Sequence, residues 1–257
     1  MKKKKKQVAK PIFKSYHKRS SFLKWVVSHF PENYREMTYV EPFPGSLGAV
    51  LFKDKSHVEL FGGSDAPVLN IYRSLRNDPG SFIKKLSHYK FCEDTFEKVK
   101  KRSCALPKDC YVESSLEEYL LRSMSRSEMK TKFSKVNFNS WKSCIKNLPL
   151  FSSRIKEAFI IESDPLTIIK DFNFSDTLLF CDPPHLYETK KGKTVYQSEM
   201  SVNDHISLSH LLNSFKGKVI LSGVSSPLYS RMYKSWNLFK SKYKNKDGKI
   251  EVIWKNF

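Results

Sequence analysis

One run of residues narrows the possible architecture more than any other. Thr177-Leu178-Leu179-Phe180-Cys181 is followed at once by Asp182-Pro183-Pro184-His185. A half-exposed strand alternates apolar and polar residues, whereas a short run that is almost entirely apolar reads as a strand buried on both faces. Residues 158–161 and 218–222 repeat that pattern, and 38–40 and 57–61 are two further expected strands, the second closed by Gly62-Gly63. Between the runs the apolar spacing is helical: 48–53, 165–170, 203–215, a helix that starts at Phe22 and ends near Pro31, and 66–76, where Val68, Leu69, Tyr72 and Leu75 share a face. Strands alternating with helices predict an α/β fold with a mostly parallel sheet and helices on both faces. Residues 236–243 and 250–254 are expected to close the sheet as an antiparallel pair around Asn245-Lys246-Asp247-Gly248. From 78 to 149 charged and polar residues dominate, helices are expected and no strong strand appears. The sequence is therefore divided into a flexible basic tail (1–10), a domain made of 11–77 and 150–257, and a helical insertion (78–149).

Charge points to a partner rather than a fold. The chain has 46 Lys and Arg against 26 Asp and Glu, a net charge of +20. Residues 1–31 hold ten basic residues and no acid, Arg122, Arg126, Lys130, Lys132 and Lys135 form a second group, and Lys240, Lys242, Lys244 and Lys246 a third. Three separate basic regions favour a polyanion, with a solvated lysine surface as the plainer alternative. The five cysteines form no CxxC pair, which argues against a zinc ribbon; their odd number and the lack of a secretory signal suggest reduced thiols in a cytoplasmic setting. No apolar run is long enough to span a membrane. His205 and His210 share a helix with no third metal ligand nearby, so they read as core or surface histidines.

The chemistry sits at Asp182. A buried strand delivers a carboxylate and two prolines to the C-terminal edge of the sheet, where open α/β sheets bind ligands. Prolines stiffen the backbone and remove two N–H donors. A carboxylate and a fixed carbonyl can accept hydrogen bonds from the two protons of an aromatic amine such as the exocyclic amine of adenine, and the flat side chain of His185 can stack on a base flipped out of a duplex. A turn in which Asp182 only caps backbone is the alternative. Earlier in the chain, Tyr39-Val40-Glu41-Pro42-Phe43-Pro44-Gly45-Ser46-Leu47-Gly48 joins a strand to a helix through a glycine-bearing turn, as a cofactor that approaches backbone would require. Ser222-Gly223-Val224-Ser225 follows a strand without a Ser-His-Asp arrangement and borders the pocket.

In this order the two motifs resemble the Dam-like, alpha-group DNA adenine-N6 methyltransferases, especially compact forms common in phages and prophages. The resemblance takes in Leu121-Arg122-Ser123-Met124-Ser125-Arg126 and Lys218-Val219-Ile220-Leu221-Ser222-Gly223. It implies a Rossmann-like fold, S-adenosylmethionine as cofactor, DNA as partner and no metal. It implies catalytic roles for Asp182, Pro183, Pro184 and His185, and cofactor contacts from Tyr16, Lys18, Glu41, Pro42, Phe43, Gly45, Asp65 and Asp164. The insertion, through Arg122, Arg126, Lys130 and Lys132, would meet phosphate. The sequence departs from the family pattern at four places. No glycine lies in Tyr16-His17-Lys18-Arg19-Ser20-Ser21, Gly48 comes one residue late, Gly62-Gly63 stand where an acid is usual, and His185 replaces a tyrosine. Two functions fit this pattern best: a DNA adenine-N6 methyltransferase, or a catalytically silent protein of that fold kept for nucleic-acid binding or assembly. An RNA methyltransferase is a third, since a target base is flipped out in either polymer.

Overall fold

A computed structural model of the chain describes residues 9–13, 20–103, 111–125, 130–186, 200–245 and 248–257. Tyr16, Lys18, Arg126, Lys246 and residues 1–8 of the basic tail lie outside the described residues. The chain divides into two compact units, one of residues 1–16, 45–52 and 66–157, the other of 17–44, 53–65 and 158–257.

The second unit is the sheet. Its strands are β1 (Thr38–Glu41), β2 (Val58–Gly63), β3 (Phe159–Glu162), β4 (Thr177–Cys181), β5 (Lys218–Val224), β6 (Asn237–Lys244) and β7 (Ile250–Lys255). They lie in the order β3-β2-β1-β4-β5-β7-β6. The first five run parallel and β7 enters antiparallel between β5 and β6. This is a Rossmann-like α/β sheet.

Alternate residues of the central strands serve opposite faces. Val40, Leu179, Cys181, Val219, Leu221 and Trp254 point to one side, where Ile168 and Ile169 of α8 (Pro165–Asp171) and Leu208 and Leu212 of α9 (Val202–Asn213) complete the core. Tyr39 and Phe180 point to the other, where the ring of Phe30, just past α1 (Ser20–Val27), lies 5.9 Å and 6.4 Å from theirs. A short helix, α10 (Pro227–Met232), follows β5.

Two strands run longer than their composition suggests. β2 does not close at Gly62-Gly63 but pairs through both, with Ile161 and Glu162 of β3. The glycines are needed for close approach rather than for a turn: a Cβ at residue 62 would lie 2.3 Å from the Ile161 carbonyl oxygen. β5 likewise continues through Gly223-Val224, two residues beyond the expected 218–222, which places Ser222 inside the strand instead of at its end. The final hairpin turns as expected: the Gly248 N–H donates to the Asn245 carbonyl (3.1 Å), and Gly248 has φ +77°.

The first unit is helical: α2 (Gly48–Phe52), α3 (Ala66–Asn77), α4 (Pro79–Leu86), α5 (Glu93–Ser103), α6 (Tyr111–Met124), a 3₁₀ turn (Lys135–Asn137) and α7 (Phe138–Ile155). It extends beyond the insertion drawn at 78–149, because α3 packs on α6 and α7. The Ser74 and Ser115 hydroxyls lie 2.9 Å apart, and the rings of Tyr72 and Phe151 5.8 Å. The end of the basic tail is also fixed here. Ala9 is buried, Asn147 donates to the Lys10 carbonyl (2.6 Å), and Phe13 stacks on Tyr72 at 6.3 Å. Among the described residues no helix is long and apolar enough to cross a membrane.

Candidate active site

In the strand order β3-β2-β1-β4-β5 the chain winds outward in both directions from the β1–β4 pair. Such a switch point leaves a crevice at the carboxyl ends of the two strands. Glu41 is the last residue of β1, and Asp182 is the first after β4. The pairing of Phe180 with Ile220 and of Cys181 with Leu221 brings Asp182 level with Ser222 of β5. Three neighbouring strands thus present a carboxyl, a carboxylate and a hydroxyl on one face of the sheet. Ser222 Oγ donates to Asp182 Oδ1 at 2.6 Å and lies 3.4 Å from the Cys181 carbonyl oxygen. Pro183 is buried, Pro184 and His185 are half-buried, and Leu186 joins the core.

Behind this edge runs a buried polar chain. The Tyr39 hydroxyl donates to Glu41 Oε2 at 2.7 Å. The Lys53 ammonium sits 4.3 Å from the centroid of the Tyr39 ring, is ion-paired to Glu59 and donates to Ser56 Oγ at 2.8 Å. The Lys53 side chain is fully buried and that of Glu59 nearly so. Burial raises the pKa of Glu41, with Asp182 and Glu59 adding to the rise. Tyr39 and Lys53 oppose it, and the carboxyl is pushed up to about 8. Burial, with Asp182 and Glu41 nearby, also drives the Cys181 thiol well above its ordinary range. His205 is a core histidine whose Nδ1 lies 2.9 Å from the Tyr229 hydroxyl; His210 is exposed.

The other residues singled out in the sequence divide as follows. Glu41 and Pro42 are buried, and Phe43 packs half-buried against the sheet's core. Gly63 passes close to that turn: a Cβ there would stand 3.3 Å from the Pro42 carbonyl oxygen. Gly45 has φ +45°, and a Cβ on it would meet nothing within 4 Å. Leu47, not Gly48, takes the left-handed conformation, with φ +56°. The residue that arrives one position late in the sequence leaves a buried leucine in a backbone state that glycine adopts at lower cost. Asp65 is the second residue past the end of β2 and is half-buried. Asp164 Oδ1 accepts the N–H groups of Leu166 (2.9 Å) and Thr167 (3.2 Å) as the N-cap of α8.

In the helical unit, Arg122 and Lys130 turn inward. Both bind Glu118, at 2.5 Å and 2.8 Å, with side chains only 16% and 13% exposed. Burial opposes the ionised form of Glu118, but the two cations outweigh it and hold its pKa below the ordinary value. Lys132 is exposed. So are Lys240, Lys242 and Lys244 on β6, the outermost strand. They belong to a stretch, 205–246, with eight basic residues and no acid. Sequence reasoning missed the polar chain Lys53–Tyr39–Glu41 and the bond from Ser222. For Ser222 a signal existed, a hydroxyl inside an apolar run; for Lys53 none did.

The chain is similar in outline to several solved structures. One is a conserved hypothetical protein of Streptococcus pyogenes, at 8% identity, covering 93% of this chain and 96% of that one with a TM-score of 0.41. Another is the rRNA methyltransferase aviRa from Streptomyces viridochromogenes, at 11% identity, 92% and 83% coverage and a TM-score of 0.39. No curated protein matches the sequence. The family description of D12 class N6 adenine-specific DNA methyltransferases matches residues 18–249. That span takes in the Glu41–Gly45 turn, the helical unit from α2 onward and Asp182-Pro183-Pro184-His185, and the chain belongs to the D12 class N6 adenine-specific DNA methyltransferase family.

Proposed function

We propose that the protein transfers a methyl group from S-adenosylmethionine to the N6 amine of an adenine flipped out of DNA. The observation that carries this reading is the placement of Asp182 at the β1–β4 switch point, with its carboxylate held by Ser222. Asp182 and the Pro183 carbonyl accept hydrogen bonds from the two amine N–H groups, which draws the nitrogen lone pair out of conjugation and aims it at the methyl group, while His185 stacks on the base. The methylated nitrogen then loses one proton to solvent.

S-adenosylmethionine supplies the methyl group on a sulfonium and needs no metal. The residues present fit it. In the sheet unit Asp65 stands past the end of β2 with a carboxylate suited to ribose hydroxyls, and Phe43 offers an aromatic wall. Glu41 and Pro42, both buried, hold that turn from behind. Asp164 fixes the start of α8 at the end of β3, where a cofactor base would lie. DNA phosphate meets exposed lysines, Lys132 among them, and Arg122 and Lys130 keep Glu118 charged within the helical unit.

The test is methyl transfer from labelled S-adenosylmethionine to adenine-containing duplex. Asp182→Ala should lower transfer by about 10²–10⁴-fold, the range for removing a proton-accepting or charge-stabilising group. DNA affinity should stay close to wild type, because phosphate contacts supply most of it. Equal background counts from wild type and Asp182→Ala, both folded, would favour the silent reading, to which Leu47 in a glycine conformation and His185 in a tyrosine position lend support.

A further inference from the structure

We propose that Ser222 is the positioning residue for Asp182: its hydroxyl, carried by β5, fixes the orientation in which the carboxylate receives the target amine. The proposal rests on the methyl-transfer reading above. An aspartate at the end of a strand or in a turn is usually oriented by its own chain, through N–H groups one to three residues further on. Here the next two residues are Pro183 and Pro184, which have no N–H. The motif that frees the carbonyls for the amine also strips the carboxylate of its two nearest local donors. A donor from the neighbouring strand can take the place of those two.

Ser222 supplies it. The residue is fully buried in β5 and stands level with Asp182 by the β4–β5 register. A buried serine in a strand can satisfy its hydroxyl on a nearby carbonyl. This one lies closer to the side chain (2.6 Å to Oδ1) than to the backbone (3.4 Å to the Cys181 oxygen). The shorter contact is in the range of a charge-assisted O–H···O⁻ bond. The hydroxyl has a single proton to give, and the nearer acceptor, the carboxylate, takes it. The flanking apolar residues Leu221 and Gly223 face the opposite side, Leu221 into the core and Gly223 within 3.5 Å of Trp254 and Tyr229 by its Cβ direction. The strand therefore cannot slide to offer a different group.

The experiment compares wild type with Ser222→Ala, Ser222→Cys and Ser222→Thr in single-turnover methyl transfer at saturating cofactor and DNA. Half-saturation values and thermal melts are measured alongside. Ser222→Ala is expected to transfer 10- to 100-fold more slowly, about 1.4–2.8 kcal/mol on the barrier, with half-saturation for S-adenosylmethionine and DNA within about threefold of wild type. Ser222→Thr, which keeps the hydroxyl, should regain most of the rate; if its extra methyl prevents folding, Ser222→Cys, a weaker donor, should fall between alanine and wild type. A wild-type rate in Ser222→Ala overturns the proposal. So does a loss that moves rate and half-saturation together and is the same in all three variants, which marks a packing defect. A wild-type protein that transfers no methyl group overturns the methyl-transfer reading itself, and this inference with it.

Discussion

A carboxyl that keeps its proton up to about pH 8 alters how folding stability depends on pH. In the unfolded chain Glu41 titrates near 4.5, and in the folded protein near 8. Within that window the native state holds a proton that the unfolded state has lost. The stability that Glu41 contributes is complete below pH 4.5, falls as the pH rises, by at most about 1.4 kcal/mol per unit, and levels off above 8. Glu41→Gln keeps an acceptor for the Tyr39 hydroxyl but cannot ionise. Urea unfolding between pH 5 and 8.5 should show the variant gaining on wild type as pH rises; a constant gap would mean that Glu41 ionises as an ordinary glutamate. His185→Tyr, also a single-residue test, should keep or raise methyl transfer, since a larger ring adds stacking surface and base–aromatic stacking is worth about 1–3 kcal/mol. Of these residues, the position of Asp182 at the end of a buried strand was legible in the sequence, because the apolar run stops there. Lys53, the cation nearest the Tyr39 ring, was not, because nothing in its neighbours along the chain marks a lysine as buried.

Elements explain why some charges serve the fold and others face outward. α6 carries Glu118 on a buried face, and Arg122 follows one turn later, at i+4, where a helix brings side chains together. Arg122→Gln and Lys130→Gln should each cost about 1.5–3 kcal/mol of stability, the worth of a hydrogen bond to a charged group, and leave the salt dependence of DNA binding unchanged. Replacing Lys240, Lys242 and Lys244 of β6 by glutamine should do the reverse: little change in melting temperature, and a shallower log–log salt slope, by up to about 0.9 for each phosphate no longer neutralised. Filter binding from 50 to 200 mM salt distinguishes the two sets. The core strands were readable from apolar runs, and their ends were not. Gly62 and Gly223 look like stops, yet the parallel ladder continues through Gly62, where the backbone of Ile161 comes too close for a side chain, and Gly223 stays in the sheet through its antiparallel pairing with Val252. The helix α3 was readable as a helix; that it joins the insertion's helices was not, because periodicity identifies an apolar face without naming what covers it.

At the scale of the molecule, the net charge of +20 is concentrated enough to test by truncation. Removing Lys2–Lys6 should weaken DNA binding at low salt without changing the melting temperature. A cut reaching Ala9 and Lys10 should also lower stability, because Ala9 is buried and the Lys10 carbonyl accepts from Asn147. The β1–β4 neighbourhood that forms the site has a different consequence, for the order in which the chain can assemble. Thr38 pairs with Val58 on one side and with Thr177 on the other. During synthesis β1 and β2 emerge early, but the second edge of β1 must wait until all of the helical unit has been made. A nascent chain stopped before β4 exposes the unsatisfied edge of a strand whose residues Tyr39, Val40 and Glu41 are all buried in the finished fold. Such pairings, distant along the chain, close slowly and leave intermediates prone to self-association. Ribosome-bound fragments ending near residue 170 should therefore aggregate on release, and fragments that extend through Cys181 should do so less.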